Sequence, residues 1–349
     1  MERIDCRGKT LTPGFIDAHV HITMDPEPDV LAQMRDSDPL LALRGVRNAR
    51  KTLEAGITTI RDMGSRNKVA LDLRTAVERG YVPGPRMQVS GQAIVMTGGH
   101  GYFIGREADG PAEVRKAVRE QLKAGADCIK LICTGGVLTP GVSEGAAQLT
   151  EEELRAGVEE AHKAGYRAAT HGIGNTGIKN ALRAGIDSVE HGVYLDDEAI
   201  ELMLAQGTYL VPTLSAVYHI VKQGTEAGIP EYAVTKAQRS YEAHVESFQK
   251  AHAAGVKLAM GTDAATPFNQ HGGNLFELEL MVKHGLSPME AIVAATTNAA
   301  ALLGWEDRIG TIAAGKLADL VLIDGDPLED IRLLQTAVVG VWKDGIRYR

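Results

Sequence analysis

A chain of 349 residues with 44% hydrophobic side chains supplies one large core or two medium ones, which argues against a disordered segment. A formal net charge of −8 without any block of Lys and Arg argues against a nucleic-acid or anionic-membrane partner, leaving a small molecule as the expected ligand. Cys6, Cys128 and Cys133 are odd in number and lack C-x-x-C spacing, so neither a disulfide framework nor a zinc knuckle is expected, and a reducing cytoplasm fits.

The opening Met1-Glu2-Arg3-Ile4-Asp5 carries no apolar signal core, and no run of about 18 apolar residues is present to span a bilayer. The stretch Phe15-Ile16-Asp17-Ala18-His19-Val20-His21 alternates with period two. Asp17, His19 and His21 therefore share one face of a strand, while Ile16, Ala18 and Val20 share the face expected to pack under helices. Residues 40–55 have helical spacing and stop at Gly56, a residue suited to a left-handed helix end. A strand at 57–60, a helix at Val69–Glu78, a strand at 87–89, a helix at 112–124 and a strand at 128–133 follow. Thr150 with Glu153 three residues later is a capping-box signature for a helix running to Gly165. Beyond it come a strand at 168–171, a helix at 178–184, a strand at 186–190 and a helix starting at Asp196. A strand at 209–212, a long helix at 233–254 and a strand at 256–261 complete the alternation.

Eight short strands, each followed by a helical segment, predict an α/β fold of the (β/α)8 TIM-barrel type over residues 12–305 rather than a doubly wound sheet. Residues 1–11 and 306–349 are expected to form a small flanking β appendage, with a hairpin turn at Lys343-Asp344-Gly345.

Barrel enzymes carry their chemistry where strands end and loops begin. The polar residues at such ends are His19 and His21, Lys130, His171, His191 and Asp263. Each has a plainer reading. A histidine before a glycine serves more often as a hydrogen-bonded loop residue, and Asp263 suits a helix cap. Lys130 resists this, because an unpaired ammonium within Cys128-Ile129-Lys130-Leu131-Ile132 would lose several kcal/mol or shift its pKa by up to about 3 to 5 units. Arg106, beside Tyr102 and Phe103, reads either as a seat for a peptide carboxylate or as a solvated surface arginine.

These residues resemble the amidohydrolase superfamily. The features are Pro13-Gly14-Phe15-Ile16-Asp17-Ala18-His19-Val20-His21, the lysine on the fourth strand, Val189-Glu190-His191-Gly192, Gly261-Thr262-Asp263, and Gly310-Thr311-Ile312-Ala313-Ala314-Gly315-Lys316-Leu317-Ala318-Asp319-Leu320. Within it the chain looks most like the branch of metal-dependent Xaa-Pro dipeptidases (prolidases) and imidazolonepropionase-related hydrolases. Met96-Thr97-Gly98-Gly99-His100-Gly101 and Pro212-Thr213-Leu214 with Tyr218 favour the dipeptidase side.

The resemblance implies two divalent metal ions, for which Zn²⁺ suits the imidazole and carboxylate donors. His19, His21 and Asp263 would hold one ion, His171 and His191 the second, and a carboxylated Lys130 would bridge them. It implies hydrolysis of an amide C–N bond in a dipeptide of Xaa-Pro type or an N-acyl amino acid by a metal-bridging hydroxide, with Asp263 passing a proton to the leaving nitrogen. It also gives Tyr218 as a donor to the oxyanion and His100 as a contact to the substrate carboxylate or carbonyl, packing being the alternative for both. Rival expectations are a cyclic-amide hydrolase, a carboxypeptidase for basic residues, a promiscuous phosphotriesterase, or a non-enzymatic scaffold. Lys130 argues against the imidazolonepropionase option, whose members generally lack the carbamate lysine. Family members usually begin with several more strands before Gly8-Lys9-Thr10-Leu11. Either an unpaired edge is left for a second copy in a homo-oligomer, or the start is truncated.

Overall fold

The computed structural model describes residues 5–349, so the first four positions of the expected 1–11 segment lie outside the described residues. Its strands, in chain order, are β1 (Lys9–Pro13), β2 (Phe15–Val20), β3 (Ile57–Asp62), β4 (Arg86–Val89), β5 (Ala93–Val95), β6 (Gly105–Glu107) and β7 (Ile129–Ile132). After them come β8 (Ala168–Gly172), β9 (Ser188–His191), β10 (Tyr209–Val211), β11 (Leu320–Asp324), β12 (Val338–Lys343) and β13 (Ile346–Arg347). The helices are α1 (Asp38–Glu54), α2 (Val69–Glu78), α3 (Pro111–Ala124), α4 (Glu151–Lys163), α5 (Asn175–Arg183) and α6 (Asp197–Gln206). They continue with α7 (Leu214–Gln223), α8 (Glu231–Ala254), α9 (Phe276–Lys283), α10 (Pro288–Ala294), α11 (Thr297–Leu303) and α12 (Leu333–Thr336).

Two arcs of parallel strands, β2-β3-β4 and β10-β9-β8-β7-β5-β6, make the wall of a (β/α)8 barrel. They meet at one seam where Asp127 N donates to Val89 O at 2.8 Å. At the other seam residues 256–261 fill the eighth position. Leu210 N donates to Lys257 O at 2.9 Å, and Ala18 N to Met260 O at 2.9 Å. The eighth strand predicted here is not a regular one: only Leu258 forms a bridge, to Leu210. The cause is the C-terminal end of α10. Ala294 O accepts from Met260 N and Ala295 O from Ile16 N, so helix carbonyls take ladder positions that a strand would otherwise fill. Gly261 makes the closure sterically workable, since a Cβ there would lie 2.3 Å from Val211 Cγ1 and 2.8 Å from His19 Cβ.

The two faces of β2 separate as its period requires. Ile16 and Ala18 pack with Ala299, Ala300 and Leu303 of α11, while Asp17 and His19 are buried on the other side. The capping box of α4 forms as read, with Thr150 accepting from Glu153 N and Glu153 reaching back to Thr150 N. A separate antiparallel sheet, β1-β11-β12-β13, flanks the barrel. Lys9 pairs with Asp324 and Pro13 with Leu320, so the two ends of the chain join in one sheet. Asp344 (φ 53°) and Gly345 (φ 76°) make the turn between β12 and β13, the left-handed pair that a tight hairpin demands. Among the described residues, no helix is long and apolar enough to cross a membrane.

Candidate metal centre

At the C-terminal rim of the barrel, His19, His21, Lys130, His171, His191 and Asp263 all line one cavity, together with His100. His19, His191 and Asp263 offer one ligand atom each within 4.8 Å of one another. His21 Nε2 stands 3.2 Å and His19 Nε2 3.5 Å from Asp263 Oδ1. The ring centroids of His171 and His191 are 4.6 Å apart, and those of His19 and His191 5.2 Å. Six residues scattered over some 240 positions of sequence are thus gathered at strand ends.

Backbone strain helps to aim them. Period two would send Glu190 and His191 to opposite faces of β9. His191 adopts φ 70°, in the left-handed region, and this turns its ring to the cavity while Glu190 stays inside the barrel. Thr213 (φ 51°) and Asp263 (φ 58°) are held in the same region. Non-glycine residues in such conformations cost of order 1–3 kcal/mol each and persist where surrounding structure over-determines them.

One nitrogen of each imidazole is already engaged. His19 Nδ1 donates to Glu190 Oε2 at 2.8 Å, His21 Nδ1 to Gly64 O at 2.8 Å, and His171 Nε2 to Gly135 O at 2.9 Å. His191 Nδ1 pairs with Thr213 Oγ1 at 2.6 Å. The second nitrogen of His19, His171 and His191 is left as a lone pair for a cation, the usual arrangement of metal-binding histidine. At His21 burial is outweighed by the hydrogen bond from Nε2 to Asp263 and by that carboxylate's charge, and its pKa is raised. Burial pushes His19, His171 and His191 well below the usual imidazole range, with the Lys130 cation adding to the effect, so all three are neutral at neutral pH. Burial alone would raise the Asp263 carboxyl, but the neighbouring His19 and the hydrogen bond from His21 outweigh it and hold it at about 2.

Lys130 is the odd member. Its Nζ is buried with no hydrogen-bond partner, and burial lowers its pKa to about 8. An orphaned ammonium among neutral imidazoles is unfavourable. A donor set of four imidazoles, one carboxylate and an amine open to modification would resolve it once cations are bound, so these residues fit divalent cations.

Beneath the rim lies a support that sequence reasoning left without a role. Glu190, fully buried, accepts from His19 Nδ1, from Arg61 Nη2 at 2.8 Å and from Ser188 Oγ at 2.6 Å. Arg61 also donates to Ala18 O at 2.7 Å. Asp17 accepts from Thr262 Oγ1 at 2.6 Å and Asn274 Nδ2 at 2.7 Å, tying β2 to the Asp263 loop. The signal for Glu190 was its place directly before His191; nothing local in the sequence marks Arg61.

One expectation is corrected. Tyr218 does not line the cavity. It sits on the far side of α7 against Phe276, ring centroids 5.3 Å apart, under the ammonium groups of Lys222 and Lys283, while Ala216, Val217 and Ile220 take the inward face. Helix rotation decides this, and the half-buried ring is satisfied by packing. Of the two readings of Arg106, the surface arginine is the nearer one: it does not line the cavity, and its Nε donates to Glu120 Oε2 of α3 at 2.9 Å. His100, by contrast, does face the cavity. Its Nδ1 is 2.8 Å from Thr139 Oγ1, and its ring centroid lies 4.3 Å from that of His171. Gly136 makes room for it, because a Cβ there would come within 2.4 Å of the imidazole.

Comparison with known proteins accords with this geometry. A family model described as the amidohydrolase family matches residues 10–348. Ochratoxinase of Aspergillus niger is 32% identical over 97% of this chain and 75% of its own length. An imidazolonepropionase of Symbiobacterium thermophilum is 26% identical over 92% of this chain and 76% of its own. The solved structure of a Xaa-Pro dipeptidase with methionine in its active site superposes with a TM-score of 0.94 at 39% identity, over 99% of this chain and 88% of that one. A prolidase complexed with N-methylphosphonate-L-proline gives a TM-score of 0.93 at 35% identity, with the same coverage of both chains. With the fold, the gathered rim and matches that run almost end to end, this chain belongs to the amidohydrolase family and is a hydrolase acting on amide bonds.

Proposed function

We propose that this chain is a two-metal amidohydrolase that cuts the C–N bond of a dipeptide of Xaa-Pro type or of an N-acyl amino acid. The observation that carries it is the unpartnered Lys130 Nζ, buried at a rim shared with the neutral imidazoles of His19, His171 and His191 and an ionised Asp263. The likeness to a Xaa-Pro dipeptidase and a prolidase supports the substrate class. His19, His21 and Asp263 would hold one ion and His171 and His191 the other, and Lys130, once converted to a carbamate, would supply a further carboxylate to them. When bound, the ions polarise the scissile carbonyl and bring the pKa of water from about 15.7 towards about 7.

The chain's own groups do the rest. An amine whose pKa is about 8 is neutral often enough near pH 7 to attack CO2: its lone pair forms the N–C bond, a proton leaves, and the orphaned cation becomes a carboxylate. Asp263, ionised at neutral pH, accepts the proton of the attacking water and passes it to the leaving nitrogen. Gly101 N donates to Thr139 Oγ1 at 3.2 Å, which frees the Thr139 hydroxyl proton for His100 Nδ1. His100 then keeps its own proton on Nε2 and presents it to a substrate oxygen. The division into a barrel over residues 12–305 and an appendage from 1–11 and 306–349 is part of the same proposal.

The test is metal analysis of the purified protein, together with a library of dipeptides and N-acyl amino acids assayed with Zn²⁺, Mn²⁺ and Co²⁺ supplied separately. Two ions per chain and turnover of either class are expected. Less than one ion per chain, or no amide cleaved under any metal, refutes the reading.

A further inference from the structure

Thr213 stands at the N-cap position of α7 and is of a residue type that commonly fills it, yet its side chain makes no cap. Its backbone is left-handed (φ 51°, ψ 44°) where an N-cap is normally extended, and its hydroxyl is taken by His191 Nδ1 at 2.6 Å. The helix amides left without that cap are met from elsewhere. Glu277 of α9, fully buried, accepts from Leu214 N at 2.7 Å through one carboxylate oxygen and from Ser215 N at 2.8 Å through the other. Ser215 N is the second amide of the helix, one of the two that an N-cap side chain ordinarily satisfies.

The same turn is held on its other sides. His244 of α8 donates from Nε2 to Pro212 O at 2.7 Å, and Ser215 Oγ donates to Thr262 O at 3.1 Å, next to Asp263. Glu277 does not line the cavity, so it acts on the rim only through this turn. Without it, Thr213 would regain an ordinary cap by returning to extended backbone. That change relieves a strained conformation and gives the helix amides an acceptor, but it withdraws the hydroxyl from His191.

We infer that Glu277 is a positioning residue of the rim: by capping α7 from a neighbouring helix it keeps Thr213 in the left-handed conformation and leaves the Thr213 hydroxyl to accept from His191 Nδ1. His191 is thereby fixed as the tautomer whose lone pair, on Nε2, is free for a cation. The effect on metal affinity rests on the two-metal reading of the rim, whereas the effect on the His191 tautomer stands without any ion.

The test begins with metal-free protein at about pH 8.5, where His191 is neutral and Glu277, its carboxyl pushed by burial up to about 7, is ionised. Nitrogen-15 NMR of the histidine rings, with His191 assigned by its loss in His191→Asn, is expected to show a single tautomer protonated on Nδ1. Glu277→Gln offers one acceptor oxygen where the carboxylate offers two, and gives a mixture of tautomers at His191 while the His171 signals stay in place. Thr213→Gly, which suits the left-handed backbone and lacks the hydroxyl, gives the same change, and Thr213→Ser keeps the wild-type signal. The two changes combined move the signal no further than Thr213→Gly alone, because both act through one hydroxyl. Zn²⁺ alone is then titrated in competition with a chelator. Glu277→Gln and Thr213→Gly each weaken its binding by about 10–100-fold, as loss of a partner behind a metal-binding histidine does. A His191 signal unmoved in Glu277→Gln, an equal change at His171, or Zn²⁺ held as tightly by these variants as by wild type overturns the inference. Should Glu277→Gln fail to fold, Glu277→Asp, whose carboxylate stops one methylene short of the amides, is read in the same way. If wild-type protein takes up no Zn²⁺, the two-metal reading falls and the tautomer signals alone decide the role of Glu277.

Discussion

Replacing Lys130 by Met separates the requirements of folding from those of chemistry at one atom. The Nζ is buried without a partner, and its pKa is pushed to about 8 from 10.5 in the unfolded chain. At 1.36 kcal/mol per pKa unit, that gap makes the ammonium cost the metal-free protein about 3 kcal/mol at pH 7, where both states carry the proton. Methionine has a similar volume and no charge to bury, so metal-free, CO2-free Lys130→Met protein is expected to be the more stable by roughly that amount. Spread over 349 residues at about 2.1 cal/mol/K each, it corresponds to a rise in Tm of about 4 °C. The sign with pH follows from proton counting. Between pH 8 and 10.5 the unfolded chain holds a proton that the folded protein has released, so wild-type stability rises through this window and the advantage of the variant shrinks towards zero above it. The assay is thermal unfolding of chelated wild-type and variant protein at a series of pH values, with hydrolysis measured after metal is restored. A variant no more stable than wild type at pH 7, or an advantage unchanged above pH 10.5, refutes the unpaired-ammonium reasoning. Turnover close to wild type after metal loading refutes the carbamate.

Arg61→Met leaves Glu190 buried without its cation and is expected to cost about 3–5 kcal/mol in urea unfolding, much of it recovered by adding Glu190→Gln; a loss under 1 kcal/mol contradicts the pairing. Asp263→Asn should lower kcat about 10²–10⁴-fold while the far-UV spectrum of the barrel is kept, and unchanged hydrolysis of every active amide removes Asp263 as proton carrier. His100→Ala, with metal content measured alongside, should lower kcat about 10²–10³-fold at unchanged metal stoichiometry, whereas a change in KM alone would reduce His100 to a binding contact.

The barrel was legible because its signal is repeated. Amphipathic helices and short strands recur along the chain, and a misplaced boundary at any one of them leaves the alternation intact. The eighth strand was harder, since whether residues 256–261 pair with strands or with the carbonyls of α10 depends on a helix that starts more than 25 positions later. His19, His21, His171, His191 and Asp263 were legible because each falls at or just past the end of a strand, where direction is set by the pleat and loop, and Lys130 because a lysine within an apolar strand demands a reason. Tyr218 was misplaced for the opposite reason. Its direction follows from the rotation of α7, and a helix apolar on several faces does not announce which one is inward. Arg106 likewise depended on Glu120, 14 positions away, which competes for the guanidinium. Arg61 reads locally as one charge in a short strand, and its role exists only once Glu190, 129 positions later, lies beside it.

The flanking sheet has a consequence for the order of events during synthesis. Lys9 and Asp324 are 315 positions apart, so β1 emerges from the ribosome long before the strand it must lie against. Through that interval its hydrogen-bonding edge is bare, and the nascent barrel has to hold its first strand in place without help from the sheet. Chaperone dependence and loss to aggregates are therefore expected to be governed by how quickly β11 is translated and docks, and synonymous codon changes that slow the ribosome ahead of Leu320 should reduce the yield of folded protein while leaving the finished molecule unaltered.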